Sequence, residues 1–222
     1  MKKQEEKSNL CQRVYDYVKE QVMSLQLKPG NRITEAMLVE ELQISRTPIR
    51  EGLRLLARDG IVTLYPNRYA EITVFSQKDV YNMGAIRISL DVLGSRLAVF
   101  RGSNRDFTRL EKLALACDAA MQQGDFRQRA QMDSDFHLAL MEISGNSYLY
   151  ELQKELYSRV QMYQIVRFSR LPQTHSGGAS HKDIVEALFA RDEERVVAAI
   201  KSHLISFYSV DEDLPPDFFG AI

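Results

Sequence analysis

Residues 35–62 read EAMLVEELQISRTPIREGLRLLARDGIV, and this stretch decides the fold of the N-terminal part of the chain. It predicts two short amphipathic helices joined by a tight turn. The second helix carries four arginines at four-residue spacing, which returns each time to nearly the same helix face: Arg46, Arg50, Arg54 and Arg58. The opposite face is apolar and can pack on the first helix. A short helix with an apolar back and an arginine front fits a DNA major groove.

The ends of the second helix favour DNA binding over the alternative of an ordinary helix with a solvated arginine face. Ser45 is a favourable N-cap, and Pro48 falls in the first turn, where a proline is tolerated. The helix N-terminus then offers free backbone N–H groups and a positive dipole to a phosphate. Gly60 ends the helix. We therefore expect a recognition helix whose first turn lies against DNA.

Two strands are predicted after this helix. Ile61–Tyr65 and Tyr69–Val74 flank a short polar turn, in which Asn67 can adopt the left-handed conformation that a tight turn needs. A further amphipathic helix is predicted over Leu10–Leu25. The resulting order of helix, helix, recognition helix and hairpin is that of a winged helix-turn-helix.

The N-terminal part resembles the DNA-binding domain of the GntR family of bacterial transcription regulators over residues 8–75. Lys28-Pro29-Gly30 followed by SRTPIREGLRLLARDGIV carries the resemblance. The chain departs from the family at Ala36, where some relatives have a DNA-contacting arginine, and at Tyr69 and Ala70, where the wing usually has glycine. The residues expected to contact an operator are Ser45, Arg46, Thr47, Arg50, Arg54, Asn67 and Arg68.

The composition of the 222 residues limits the possible classes of protein. A net charge of −1 makes nonspecific attraction to DNA weak, so recognition has to depend on a local basic surface. Cys11 and Cys117 lie far apart, which argues against a thiolate zinc site or a redox pair. No apolar run approaches the roughly 20 residues of a membrane span, and the N-terminus lacks the apolar segment of a signal peptide. We expect a cytoplasmic protein that binds no membrane.

Residues 76–212 predict a second, all-helical domain, followed by a tail at 213–222. Clusters of glycine, serine and asparagine separate six predicted helices: Ser76–Phe100, Asp106–Gln123, Asp125–Ile143, Asn146–Arg170, Ser180–Ala190 and Asp192–Val210. Short turns between helices favour an antiparallel bundle. The one long loop, Leu171–Ala179, contains His175, which we interpret as a surface residue. The predicted fold class is mostly α, with a small β-hairpin in the winged domain.

Four residues of the helical domain form a candidate metal site. Asp133 and His137 are four residues apart, on one face of one helix, while His181 begins the fifth bundle helix and His203 lies midway through the last. Three imidazoles and one carboxylate suit Zn, Ni, Mn or Fe and leave coordination positions open for water or an anion. The alternative is three histidines that are separately hydrogen-bonded or exposed, because only the first pair is local in sequence.

The helical domain is similar to the ligand-binding domain, of FCD type, in the FadR branch of the GntR family. The similarity covers about residues 76–212 and rests on four segments: Arg87-x-x-x-Asp91, DSDFHLALMEISGN, SHKDIVEAL and SHL. It implies that the four residues hold a divalent metal, with a bound carboxylate completing the coordination. Arg87 is the candidate anchor for that carboxylate, since a guanidinium can bind it bidentately; the alternative is an ion pair with Asp91. Asp91 itself stands where the family usually has Glu.

These observations predict a homodimeric, ligand-responsive transcription regulator that binds a palindromic operator and senses a small carboxylate. The resemblance implies a repressor that a metabolite releases from DNA. One alternative is a metal-dependent enzyme fused to a DNA-binding domain, although the sequence has neither HExxH nor the paired Glu-x-x-His of a di-iron bundle. Another is a regulator whose helical domain only dimerises. We predict that the chain is not an enzyme.

Overall fold

The computed structural model describes residues 2–66, 68–170 and 179–208, with side chains described from residue 9 onward. The chain separates into two compact units between Val74 and Phe75. The predicted fold class is confirmed, because the described residues are mostly helical and their strands form one small sheet in the N-terminal unit. Within the described residues, no helix is both long enough and apolar enough to cross a membrane.

The N-terminal unit has the order of a winged helix-turn-helix. Its elements are α1 (Lys2–Met23), β1 (Arg32–Ile33), α2 (Glu35–Leu42), α3 (Arg46–Arg58), β2 (Val62–Tyr65) and β3 (Tyr69–Ile72). The strands form an antiparallel sheet in the order β1-β3-β2. The hairpin was predicted, but β1 was missed, since two residues are too short to show an alternating pattern. Asn67 lies outside the described residues.

The boundaries of the first three helices follow from local chemistry. α1 begins eight residues before the predicted start, because the good helix formers of its first turns lack the apolar periodicity that the prediction relied on. Thr34 caps α2 by accepting a hydrogen bond from the backbone N–H of Met37 at 3.2 Å. Gln43 ends α2 with φ of +54°. Ser45 occupies the N-cap position of α3 as predicted, but its side chain makes no capping hydrogen bond.

The recognition helix α3 packs closely on α1. The apolar face of α3 contains the buried residues Ile49, Leu53 and Leu56. The buried residues of α1 include Val14 and Val18. Gly52 is also buried in α3, and a Cβ added there would lie 2.7 Å from the Cβ of Val14. The absence of a side chain at position 52 therefore sets how closely the two helices approach.

The C-terminal unit contains the six predicted helices. They are α4 (Gln77–Arg101), α5 (Asn104–Gln123), α6 (Phe126–Ile143), α7 (Ser147–Phe168), α8 (His181–Phe189) and α9 (Glu193–Tyr208). Serine–aspartate capping boxes begin α4, α5 and α8, each satisfying two backbone N–H groups at a helix N-terminus. α6 contacts α4, α5 and α7, while α9 contacts α4 and α8. This packing brings polar residues of α4, α6, α7, α8 and α9 to one buried region.

Candidate metal centre and nucleic-acid interface

A groove between α3 and the β2–β3 hairpin collects the arginines of the N-terminal unit. The structure places four exposed arginines along this groove: Arg46, Arg50, Arg54 and Arg68. Three of them come from α3, and Arg68 comes from the wing, so two separate elements contribute to one basic surface. Thr47 and Ser45 are exposed at the start of α3. The surface has the shape and charge that a DNA backbone and groove edge would contact.

Two of these arginines form ion pairs with neighbouring acidic residues. Arg50 Nε lies 2.8 Å from Glu35 Oε1, and Arg54 Nη1 lies 2.6 Å from Glu51 Oε1. These pairs are exposed, so each contributes little stability and can open when a phosphate or base arrives. Arg58 does not line the groove and pairs with the neighbouring Asp59 at 3.1 Å. Arg58 therefore continues the four-residue spacing of the arginines but is not part of the groove surface.

The four candidate metal ligands come together inside the C-terminal unit. One ligand atom from each residue lies within 4.8 Å of all the others. His181 Nε2 is 3.3 Å from Asp133 Oδ1 and 3.4 Å from His137 Nε2. The Nε2 atoms of His137 and His203 are each 3.9 Å from the same oxygen of Asp133. Three helices, α6, α8 and α9, therefore direct three imidazoles and one carboxylate to one point.

Hydrogen bonds on the far side of two rings set which nitrogen faces this point. His137 Nδ1 lies 2.8 Å from Asp91 Oδ1, and His203 Nδ1 lies 2.9 Å from the carbonyl oxygen of Ala179. Because both partners only accept, each Nδ1 carries the proton and each Nε2 presents a lone pair. Two lone pairs and a carboxylate oxygen then face one another in a buried space. A divalent cation is the group that fits such a donor set.

The electrostatics of the cluster favour the protonation states that metal ligands need. Burial opposes the charge of Asp133, but Arg87 and then the hydrogen bond from His181 hold the pKa of that carboxyl well below its usual range. Burial lowers the pKa of His137. The pKa of His203 is lowered further, by burial and then by the neighbouring His181 and His137. The cluster therefore contains an ionised carboxylate beside the imidazoles of His137 and His203, which resist protonation.

Arg87 joins the same network through its two Nη atoms, while its buried Nε has no hydrogen-bond partner within the described part of the chain. Its guanidinium donates to Tyr208 Oη at 2.9 Å, to Tyr157 Oη at 2.7 Å and to Asp133 Oδ2 at 3.0 Å. The Nε atom lies 3.5 Å from Asp91 Oδ2, so the ion pair named as the alternative is present. Arg87 is 1% exposed but still lines the cavity beside the cluster. Its contact with an effector stays a prediction.

The residues that hold the cluster in place were not predicted from the sequence, where Asp91 was named only as a partner of Arg87. Asp91 orients His137, and Gln153 Nε2 donates to the other oxygen of Asp91 at 2.9 Å. Gln164 Nε2 donates to Asp133 Oδ2. The signal was present, because Gln153 and Gln164 are eleven residues apart on α7, which is close to three helical turns and places both on one face. His175 lies outside the described residues.

A cavity adjoins the candidate metal centre. Its wall includes Asp133, His181 and His203 from the cluster, and Arg87, Arg129 and Phe207 from the surrounding helices. His137 does not line it and is 0% exposed. A small molecule in this cavity could therefore reach one side of the cluster while His137 and Asp91 hold the other side.

Two protein families match separate parts of the chain. A family of bacterial regulatory proteins, the gntR family, matches residues 10–70, and the FCD domain family matches residues 82–206. The HTH-type transcriptional regulator YdhC of Bacillus subtilis is 27% identical, with 89% of this chain and 87% of YdhC aligned. The HTH-type transcriptional repressor RspR of Escherichia coli is 23% identical, covering 87% of this chain and 85% of RspR. The solved structure of E. coli McbR/YncC shares the fold, with a TM-score of 0.74, 22% identity and coverage of 90% and 96%.

A winged helix-turn-helix joined to a helical ligand-binding domain defines a transcription regulator. The arginine groove of the first unit and the polar cavity of the second fit the two parts of such a protein. The chain belongs to the GntR family of bacterial transcription regulators and carries an FCD ligand-binding domain. Both families and the aligned relatives are regulators rather than enzymes, which confirms the prediction that the chain is not an enzyme.

Proposed function

We propose that this regulator is a member of the FadR branch that binds a palindromic operator as a homodimer and senses a small carboxylate at a divalent metal. The observation that carries the proposal is the convergence of three Nε2 atoms and one carboxylate oxygen in the FCD domain. The metal would be held by Asp133, His137, His181 and His203. Zn, Ni and Mn all suit this donor set. When bound, the ion supplies an open Lewis-acid position for an anion.

The charge of the buried network favours an anionic effector. Asp91 and Asp133 carry two negative charges, and Arg87 with a divalent ion carries three positive ones. One net positive charge then remains in a buried place, where an unpaired charge is costly. A carboxylate at the open position neutralises it and can share its second oxygen with Arg87, which lines the same cavity. Binding would favour one arrangement of the DNA-binding units and so change the affinity for the operator.

An apolar stripe on α4 supports the homodimer. Three exposed apolar residues follow one another at seven-residue spacing on α4: Ile86 (54% exposed), Leu93 (40%) and Phe100 (74%). This spacing keeps all three close to one face of the helix, as in helices that pair with a second helix. A second copy of the chain would cover the stripe. Two recognition helices on one operator would also supply the contact area that a single small domain lacks.

The sign of regulation is proposed from the relatives. RspR, which aligns with most of this chain, is named as a repressor. We infer that the present protein also represses transcription, in the bacterial cytoplasm where its operator lies, and that the carboxylate releases it from DNA.

The metal is tested by elemental analysis of the full chain purified without chelator and then offered Zn, Ni or Mn. We expect about one metal ion per chain for the wild type and little for His137→Ala. His175→Ala is the matched control, since it removes the one histidine outside the cluster and should leave the metal content unchanged. A wild type that takes up none of the three metals would favour the alternative of a helical domain that only dimerises.

The operator is tested by selecting bound sequences from a random double-stranded DNA library. We expect an inverted repeat with two chains per site, measured by sedimentation of the complex. A carboxylic acid that binds the metal-loaded protein should weaken its binding to the operator in a fluorescence anisotropy titration. One chain on a single half-site at full affinity would contradict the dimer, and stronger DNA binding in the presence of the acid would contradict release by the effector.

A further inference from the structure

Arg129 is a cation on the wall of the effector cavity that the proposed function does not use. It is half-buried on α6 and lines the same cavity as Asp133, His181 and His203. Its guanidinium lies over the ring of Phe168, with 3.9 Å between Cζ and the ring centroid. Among residues 9–66, 68–170 and 179–208, no carboxylate forms an ion pair with it. The stacking on Phe168 fixes the plane of the guanidinium and leaves its N–H groups for another partner.

The position of Arg129 along α6 relates it to the metal centre. Arg129, Asp133 and His137 follow one another at four-residue spacing, so they share one face of the helix. Each step of four residues advances about 6 Å along the axis. Arg129 therefore lies one turn before the metal-facing carboxylate, at a separation that a short carbon chain can bridge.

The charges of the cavity point to a second anion beside Arg129. The carboxylate already proposed neutralises the charge of the metal and of the Arg87 network. That balance includes neither Arg129 nor Asp118, which both line the same cavity. Burial removes part of the hydration of the Arg129 guanidinium and so lowers its pKa. Asp118 and Asp133 attract it only from beyond ion-pair distance, and Asp118 has an interaction of its own. A partly desolvated cation that has no ion-pair partner among the described residues is the kind of group that binds a carboxylate in a planar, bidentate manner.

We infer that Arg129 holds a second carboxylate of the effector, so that the site selects short dicarboxylates over monocarboxylates of equal length. This inference rests on the proposed function, because the first carboxylate is the one at the metal. Arg129 is then the residue that determines specificity, while Asp133 and the three histidines provide the affinity common to all carboxylates.

The test uses the full chain loaded with Zn²⁺, with the zinc content measured before each titration. Isothermal titration calorimetry at neutral pH compares three pairs of acids of equal carbon number: malonate with propionate, succinate with butyrate and glutarate with valerate. In the wild type we expect at least one dicarboxylate to bind about ten-fold or more tightly than its partner, the effect of one charge-assisted bidentate contact.

Two substitutions at position 129 and one control separate the contact from general charge effects. Arg129→Gln should reduce the preference to within about two-fold without lowering the zinc content. Arg129→Lys keeps the charge and the aliphatic packing but loses the planar fork, so the preference should fall in part. Arg127→Gln is the matched control, because Arg127 is exposed on the same helix and does not line the cavity. It should keep the wild-type preference.

Several results would overturn the inference. Equal binding of both acids in every pair by the zinc-loaded wild type would do so, as would a preference that survives in Arg129→Gln. Zinc binding without binding of any of the six acids would also reject it, although the metal site would stand. A wild type that binds no zinc would instead overturn the proposed function and this inference with it. If circular dichroism shows that Arg129→Gln is unfolded, an unreduced preference in Arg129→Lys decides against the inference.

Discussion

The Nδ1 atom of His137 lies 2.8 Å from Oδ1 of Asp91, and neither side chain is exposed. This contact fixes the tautomer and the orientation of the ring that faces Asp133. We predict that Asp91→Asn, which keeps an oxygen acceptor but removes the charge, weakens metal binding by about 10–100-fold. Competition against a chromophoric chelator measures the affinity.

The control for this prediction lies on the same helix as His137. Asp135→Asn removes a carboxylate that only accepts a hydrogen bond from Gln131 at 2.9 Å on the exposed side of α6. We expect the metal affinity of this variant to equal that of the wild type. If the two variants lose affinity equally, general electrostatics rather than the orientation of His137 explains the effect.

Arg50 should contribute to DNA recognition more than Arg58. Arg50 lines the groove between α3 and the hairpin, whereas Arg58 does not and pairs with Asp59. We expect Arg50→Ala to cost about 1–3 kcal/mol of binding free energy for the selected operator, and Arg58→Ala to cost less than about 0.5 kcal/mol. Anisotropy titrations at one fixed salt concentration measure both; similar losses would show that the groove does not define the interface.

Glu35 should oppose DNA binding. Its carboxylate holds Arg50 at 2.8 Å, and this exposed pair has to open before Arg50 can contact a base. Since an exposed pair of this kind is weak, Glu35→Gln should tighten operator binding by no more than about five-fold. The same anisotropy assay measures this effect. Glu40→Gln is the control, because Glu40 is exposed on α2 and does not line the groove. Weaker binding by Glu35→Gln would mean that the pair positions Arg50 for the DNA.

Gly52 should tolerate no side chain. A Cβ there would lie 2.7 Å from Val14 Cβ and 3.0 Å from the carbonyl oxygen of Cys11, so α3 would have to move away from α1. We expect Gly52→Ala to lower the free energy of unfolding of the N-terminal unit by about 1–3 kcal/mol. Glu51→Ala on the same helix, which removes only an exposed pair with Arg54, should change it by less than about 1 kcal/mol. Thermal denaturation followed by circular dichroism distinguishes the two; a neutral Gly52→Ala would contradict the close packing.

Arg87 should contribute more to the stability of the metal-free chain than to that of the metal-loaded chain. Its removal leaves Asp91 and Asp133 buried near each other without their counter-ion. We expect Arg87→Gln to destabilise the metal-free chain by about 3–5 kcal/mol, and bound metal to reduce this loss because a divalent ion also neutralises Asp133. Arg96→Gln is the control on α4, since Arg96 pairs with Glu193 near the surface and should matter by less than about 1 kcal/mol. An equal loss with and without metal would separate Arg87 from the metal centre.

A charge at Leu93 should prevent the proposed homodimer from forming. Leu93 is 40% exposed in the middle of the α4 stripe, and a charge there would be buried without a partner in a dimer. We expect Leu93→Glu to give monomers in analytical ultracentrifugation and to weaken operator binding. Leu115→Glu changes another exposed leucine, 59% exposed on α5, and should remain dimeric. A dimeric Leu93→Glu would place the interface elsewhere.

The sequence by itself determined the fold class and the identities of the candidate groups. Helical periodicity, caps and the arginine spacing of α3 are local signals, so they predicted the recognition helix, the hairpin and the six helices of the second unit. The pair Asp133 and His137 was also local, because four residues make one helical turn. By contrast, β1 has only two residues and is defined by its pairing with β3, which no local pattern reveals.

Only the tertiary structure decided how these groups are arranged. His181 and His203 lie 44 and 66 positions after His137, and the packing of α6, α8 and α9 is what brings their nitrogens together. The same packing surrounded Arg87 with two tyrosines and two carboxylates and left Arg129 on the cavity wall beside Phe168. The physical reason is that burial and hydrogen-bond partners depend on residues distant in sequence. These partners fix the charge and orientation of each side chain, which spacing along one helix cannot specify.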